Sequence, residues 1–120
     1  MCGQSDGGGD VKDLFNEQVE NVEESHFLVL YWAAQAEDRK TKYNITNIFD
    51  DLKAAAITRT KQSAVSVIES LAALRFVAVK DEGNRRNLYI TAYGARALER
   101  LVLLDRFKPR KSTFLEGPQP

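Results

Sequence analysis

ITRTKQSAVSVIESLAALRFVAVKDEGNRRNLYITAYG, residues 57–94, decides the fold. After Thr60, the apolar residues Ala64, Val67, Ile68, Leu71 and Leu74 recur at three- and four-residue steps, so the spacing predicts a helix with one apolar side. Thr60 is its expected cap, accepting a bond from a free first-turn amide. Winding at about 100° per residue sets Gln62, Ser63, Ser66, Glu69, Ser70 and Ala73 on the opposite arc, a small-polar face with a single charge. Residues 76–80 (FVAVK) and 87–91 (NLYIT) are rich in β-branched and aromatic side chains, and DEGNRR between them has turn chemistry. The stretch therefore reads as a helix followed by a hairpin with basic residues at both tips.

Upstream, Ile45, Ile48, Phe49, Leu52 and Ala55 form a second helical stripe behind the polar break at 39–44, with Asn44 as cap. Earlier still, Val11, Leu14, Phe15, Val19 and Val22 recur at helical steps between acids, and 26–36 is apolar nearly all round. Ser25 offers a cap for that second run, and with no proline or glycine between them one long helix and two helices both fit. His26 is expected as a packed, hydrogen-bonded side chain, and Phe27, Tyr31 and Trp32 as core or dimer contacts. Residues 1–9 (MCGQSDGGG) offer nothing to bury and read as a disordered leader. Downstream, Thr91 caps a closing helix with a stripe of Ala95, Leu98, Leu101, Val102 and Leu104, which ends before Pro109. The remainder, 108–120, reads as a flexible tail, leaving 10–107 as one domain.

With 120 residues, 43% of them hydrophobic, the chain suffices for one core. Its longest apolar runs fall far short of the roughly 20 residues of a membrane span, and the N-terminus lacks a signal sequence's apolar core. An intracellular, cytoplasmic protein is expected. The lone cysteine, Cys2, allows neither a disulfide framework nor a cysteine-based zinc site. No cofactor is implied, and with no clustered catalytic set, nucleophile–base pair or phosphate loop, an enzyme is not expected. The net charge of zero hides strong segregation: −7 from Asp10 to Asp38, +4 from Lys53 to Ile90 and +3 from Arg96 onward. One end can meet phosphate.

Helix, tight connection, capped helix, hairpin, helix is the order of a winged helix-turn-helix, a mainly α (α+β) fold with flanking terminal helices. Here the chain resembles the MarR and PadR families of winged-helix transcriptional regulators. The resemblance is carried by TKQSAVSVIESLAAL, FVAVK, the basic wing tip GNRR and ITAYG, over about residues 45–106. Where those families place glycine between recognition helix and wing, this chain has Arg75, so either the helix exit differs or Arg75 adopts a left-handed or extended conformation. The resemblance implies a sequence-specific DNA-binding regulator, a repressor, associated with the nucleoid.

The residue chemistry points the same way. Gln62 suits bidentate adenine recognition, and Ser63 and Ser66 suit bases or phosphates. Arg59, Thr60 and Lys61 at the helix start suit phosphate. Asn84, Arg85 and Arg86 at the wing suit the backbone or minor groove. Double-stranded DNA is the expected partner, with a homodimer formed through the terminal helices, by the 11–22 and 98–104 stripes, on palindromic half-sites. A small-molecule effector is left open. Two alternatives use the same fold: a protein-interaction module that meets an acidic partner, and a plasmid or phage replication or partition DNA-binding protein.

Overall fold

The computed structural model describes residues 7–116, with side chains from Leu14 onward. In chain order these form α1 (Gly7–Glu20), α2 (Glu24–Asp38), α3 (Ile45–Ala54), α4 (Lys61–Ala73), β1 (Val77–Glu82), β2 (Arg85–Ile90), α5 (Ala92–Leu104) and α6 (Thr113–Glu116). Residues 1–6 of the expected leader lie outside the described residues. Helix α1 opens at Gly7, three residues before the expected boundary, because its backbone continues through glycines whose poor propensity hides them from a periodicity reading.

The two N-terminal runs are separate helices. The break falls at 21–23, and the second helix is capped at Glu23, not Ser25: the Glu23 amide donates to His26 Nδ1 at 3.3 Å. A histidine three residues into a helix can reach back to the cap amide, the role Glu or Gln fills in a capping box. Burial pushes the His26 imidazole below its ordinary pKa, against an opposing pull from Glu23, in keeping with a neutral ring whose Nδ1 accepts.

Helix α2 is the axis of the core. Phe27, Leu28, Leu30, Trp32 and Ala33 are fully buried, and α3, α4, α5, α6 and β2 all pack against the helix. Asn44 caps α3 through the Asn47 amide (2.9 Å), and Thr60 caps α4 through the Ser63 amide (3.1 Å). Thr91 caps α5 through the Gly94 amide (2.9 Å). Each satisfies a first-turn donor that would otherwise have no partner.

The helix ends share a second device. Phe76 donates to the Leu71 carbonyl, Ile57 to Leu52 and Thr41 to Ala36, at 3.0, 2.9 and 2.8 Å. These are the long closing bonds of Schellman ends, in which the preceding residue must be left-handed. That residue is Arg75 (φ 66°), Ala56 (φ 62°) and Lys40 (φ 54°), and none is glycine.

The hairpin strands run nearer the tip than expected, leaving only Gly83 and Asn84 as loop, with Glu82 paired to Arg85 and Asp81 to Arg86. Among the two loop residues positive φ is confined to Gly83 (68°), the pattern of a II′ turn. β2 is gripped on its other edge too: Leu88 donates to the Tyr43 carbonyl (2.8 Å), and Asn44 bridges Asn87. At the hairpin's foot, a Cβ on Gly94 would lie 1.9 Å from the Phe76 carbonyl oxygen, so α5 sits against the wing at a separation only glycine permits.

The last segment corrects the expected tail. Up to Glu116 it is a strap laid on α2 and α3. Asp51, buried in α3, accepts from the Tyr43 and Ser112 hydroxyls (both 2.5 Å), the Thr113 hydroxyl (2.6 Å) and the Phe114 amide (3.1 Å). Trp32 Nε1 donates to the Arg110 carbonyl (2.8 Å), Arg110 to the Ala55 carbonyl (2.9 Å) and Arg39 to the Leu115 carbonyl (2.9 Å). A buried carboxylate needs donors, and the strap supplies three of the four. Burial, and the charge beside it, push the Tyr43 phenol far above its usual range.

The closing helix is also turned from the expected stripe. Its buried positions are Gly94, Ala97 and Leu101, with Leu98 half-buried, while Ala95, Val102 and Leu104 are exposed because α5 packs through the face that carries Gly94.

Candidate nucleic-acid interface

Helices α3 and α4, joined by the turn 55–60, make the helix-turn-helix, and β1–β2 make the wing. Ala64, Ile68 and Leu71 anchor α4 in the core, with Val67 and Leu74 half-buried. The opposite arc, Gln62, Ser63, Ser66, Glu69, Ser70 and Ala73, is exposed along its whole length, as the periodicity predicts.

Between the start of α3, the first turns of α4 and the hairpin tip lies an open groove of about 640 Å³. Lys61, Arg85 and Arg86 line it with Asn84, Asn44, Thr46 and Asn47, and none of its lining residues is acidic. Lys61 Nζ lies 3.5 Å from Thr46 Oγ1, which tethers the ammonium across the mouth of the two helices.

The expected site residues divide among three places. Lys61, Asn84, Arg85 and Arg86 meet in this groove. Gln62 and Ser66 follow on the crest of α4, about a quarter-turn round from Lys61 and Val65. Arg59 and Ser63 line a different depression, on the far flank of α4, with Ser25 and Thr58. Thr60 is exposed but committed: its hydroxyl accepts from the Ser63 amide and donates to Ser63 Oγ at 2.9 Å. Asn44, Thr46 and Asn47 are groove residues that the linear pattern does not show as such. Asn44 announces itself only as a cap, and Thr46 acquires its place through Lys61, fifteen residues away.

The wing carries a polar network below its tip. Glu82 Oε1 accepts from the Tyr89 hydroxyl (2.6 Å), the Asn87 amide (2.7 Å) and Lys42 Nζ (3.4 Å). The hydrogen bonds from Tyr89 and then Asn87 hold the Glu82 carboxyl down at about 2. They favour the ionised form, and the same bond raises the Tyr89 phenol. On the other face, Arg86 Nε lies 3.4 Å from Asp81.

Among the described residues no helix is long and apolar enough to cross a membrane. No family model and no curated protein matches the chain. Among solved structures it is similar to TubR from Bacillus megaterium pBM400, with a TM-score of 0.63 and 22% identity over 75% of this chain and 97% of that one. It is similar to MepR, a transcription regulator of the Staphylococcus aureus multidrug efflux pump MepA (TM-score 0.57, 17% identity, 81% and 69% covered). A third similar structure is Bordetella bronchiseptica BpsR, from work on regulation of its DNA binding by 6-hydroxynicotinic acid (TM-score 0.53, 17% identity, 86% and 78% covered). At these identities the likeness is one of fold, and the fold is the winged helix-turn-helix.

Proposed function

We propose that this protein is a sequence-specific regulator of transcription that binds double-stranded DNA as a homodimer and represses by occupying its site. The observation that carries the reading is the acid-free groove, where Lys61, Arg85 and Arg86 converge from two elements in a chain of zero net charge. Helix α4 enters the major groove, with Gln62 and Ser66 on its crest reading base edges. Lys61 and the α3 residues Thr46 and Asn47 meet one phosphate strand, and the wing arginines reach the backbone or the minor groove. Arg59 and Ser63, on the other flank of α4, meet the opposite strand, and Thr60 at the start of the helix holds Ser63 in place. The descriptions of MepR as a transcription regulator and of BpsR as DNA-binding support the reading.

Two-fold pairing rests on apolar surface that the described chain leaves uncovered. Val19 and Val22 are buried within the fold, but Leu14 (54% exposed), Val102 (54%), Leu103 (76%) and Leu104 (44%) are not. The pairing surface is therefore the outer side of α1 with the C-terminal turn of α5. Light scattering across micromolar concentrations checks this, and a strictly monomeric mass removes it.

Selection of bound sequences from random duplex DNA, followed by a salt titration, tests the function. Gln62→Ala relaxes preference at one base pair at a cost of about 1–3 kcal/mol there, whereas Arg85→Ala weakens all sequences and lowers the salt slope by about one. Undetectable DNA affinity at low salt ends the reading, and a stoichiometric protein partner in its place moves it to a protein-interaction module. The identity of the selected site separates a promoter regulator from a replication or partition protein.

A further inference from the structure

Arg85 and Arg86 are consecutive, yet the hairpin register sets them on opposite faces and across from different acids. Arg86 faces Asp81 and pairs with it at 3.4 Å. Arg85 faces Glu82 in the same way, and opposite charges directly across an antiparallel pair attract. No ion pair joins Arg85 to Glu82 among the described residues. The Glu82 carboxylate is instead drawn back toward the foot of the hairpin, where the Tyr89 hydroxyl (2.6 Å), the Asn87 amide (2.7 Å) and Lys42 (3.4 Å) converge on Oε1. Glu82, Asn87 and Tyr89 share the face that also carries Arg85, so the carboxylate has a choice of partners on one side of the sheet. Asn87 is buried and pinned by its bridge to Asn44, so the anchor holding Glu82 is itself fixed.

We infer that Tyr89 and Asn87 hold Glu82 away from Arg85, leaving the Arg85 guanidinium unpaired for a nucleic-acid phosphate and making it, rather than Arg86, the wing's dominant contact. This rests on the reading of the groove as a DNA interface. Tyr89 is thus a positioning residue: it touches no DNA, and it acts by occupying the acid that would otherwise neutralise Arg85. Glu82 is a carboxylate at neutral pH with or without those bonds, its ordinary value being 4.5, so once released it can pair with Arg85.

Fluorescence anisotropy on a labelled random-sequence duplex at low salt tests this with wild type, Arg85→Ala, Arg86→Ala, Tyr89→Phe, Glu82→Gln and the doubles Tyr89→Phe/Glu82→Gln and Tyr89→Phe/Arg85→Ala. Tyr89→Phe weakens binding by about two- to fivefold, the scale of an exposed ion pair formed in the free protein. The effect vanishes in the Glu82→Gln and Arg85→Ala backgrounds, and Arg85→Ala loses more affinity than Arg86→Ala. Three results overturn the inference while leaving the DNA reading intact: wild-type affinity in Tyr89→Phe, an equal loss in the Glu82→Gln background, or an Arg86→Ala loss matching that of Arg85→Ala. Absence of duplex binding by wild type overturns the DNA reading and this inference with it. The Arg85/Arg86 ranking stands independently of whether Tyr89→Phe keeps its fold.

Discussion

The helix-turn-helix with its wing and the strap that closes over α2 and α3 are fastened in opposite ways. Helices α3, α4 and α5 each start from a cap whose partner is three residues away, Asn44 with Asn47, Thr60 with Ser63 and Thr91 with Gly94. The strap is fastened by bonds spanning 55 residues (Arg110 to Ala55), 61 (Ser112 to Asp51), 76 (Arg39 to Leu115) and 78 (Trp32 to Arg110). Each region also has a carboxylate hub. Glu82 is one-third exposed and shared with a lysine, whereas Asp51 is 1% exposed and its hydrogen-bond donors are all neutral. The proposed binding face has a hub that stays in reach of solvent, and the strap one whose loss strands buried groups.

Asp51→Ala tests that contrast most severely. It leaves the Tyr43 and Ser112 hydroxyls without their acceptor in a buried site, and the expected loss is about 3 kcal/mol or more in urea unfolding. Well below its melting temperature the variant keeps whatever duplex affinity wild type has under the proposed function, since none of the groove's lining residues changes. A loss under 1 kcal/mol would place the strap's hold elsewhere.

Gly94→Ala comes next. The added methyl meets backbone, not a side chain that can swing aside, so α5 must move off the wing at about 2–3 kcal/mol. Thermal melts check it, and a neutral outcome would mean that the foot of the wing yields freely.

Arg75→Gly and Ala56→Gly go the other way, each raising stability by about 0.5–1 kcal/mol. Relief of a left-handed non-glycine residue, worth about 1–2 kcal/mol, exceeds the entropy glycine adds to the unfolded chain, about 0.5–1 kcal/mol. Chemical denaturation that shows either variant less stable than wild type would contradict the Schellman ends.

The smallest effect is the pH dependence of the wing. Glu82 has its carboxyl lowered from an ordinary 4.5 to about 2, so its bonds to Tyr89 and Asn87 support the hairpin fully above pH 4.5. That support is lost as pH falls through about 2. A carbon-detected NMR titration of the Glu82 carboxyl shows a midpoint well below 4.5, and an ordinary midpoint would mean that the network is not held in solution.

These contrasts account for what the sequence discloses. The starts of α3, α4 and α5 are legible because a cap and its amide lie within one turn, and the wing because its strands flank DEGN; those of α1 and α2 are not, since glycines open the first and Glu23 with His26 caps the second. Helix ends are not, since Lys40, Ala56 and Arg75 fill positions where glycine would announce a stop; Arg75 is anticipated only through the resemblance. The strap reads as solvent-exposed because KPRKST is polar and carries a proline, and nothing near it reveals that Asp51 waits sixty residues earlier. Of the expected site residues, the wing and Lys61 converge as the order of elements implies. Arg59 and Ser63 fall on the other flank because Ser63 lies about 200° round α4 from Lys61 and Arg59 sits in the turn before the helix.

The grip on both edges of β2 bears on how this protein can change over evolutionary time. A residue inserted between Arg86 and Asn87 would swap the faces of every residue after it, put the polar Asn87 in Leu88's buried place and break the pairing of the strand with Tyr43 and Asn44. Within the hairpin, insertions and deletions are therefore tolerated at the Gly83–Asn84 apex and not in β2. Lineages descending from this chain can lengthen the hairpin by adding matched pairs there, extending its reach without disturbing the domain beneath it.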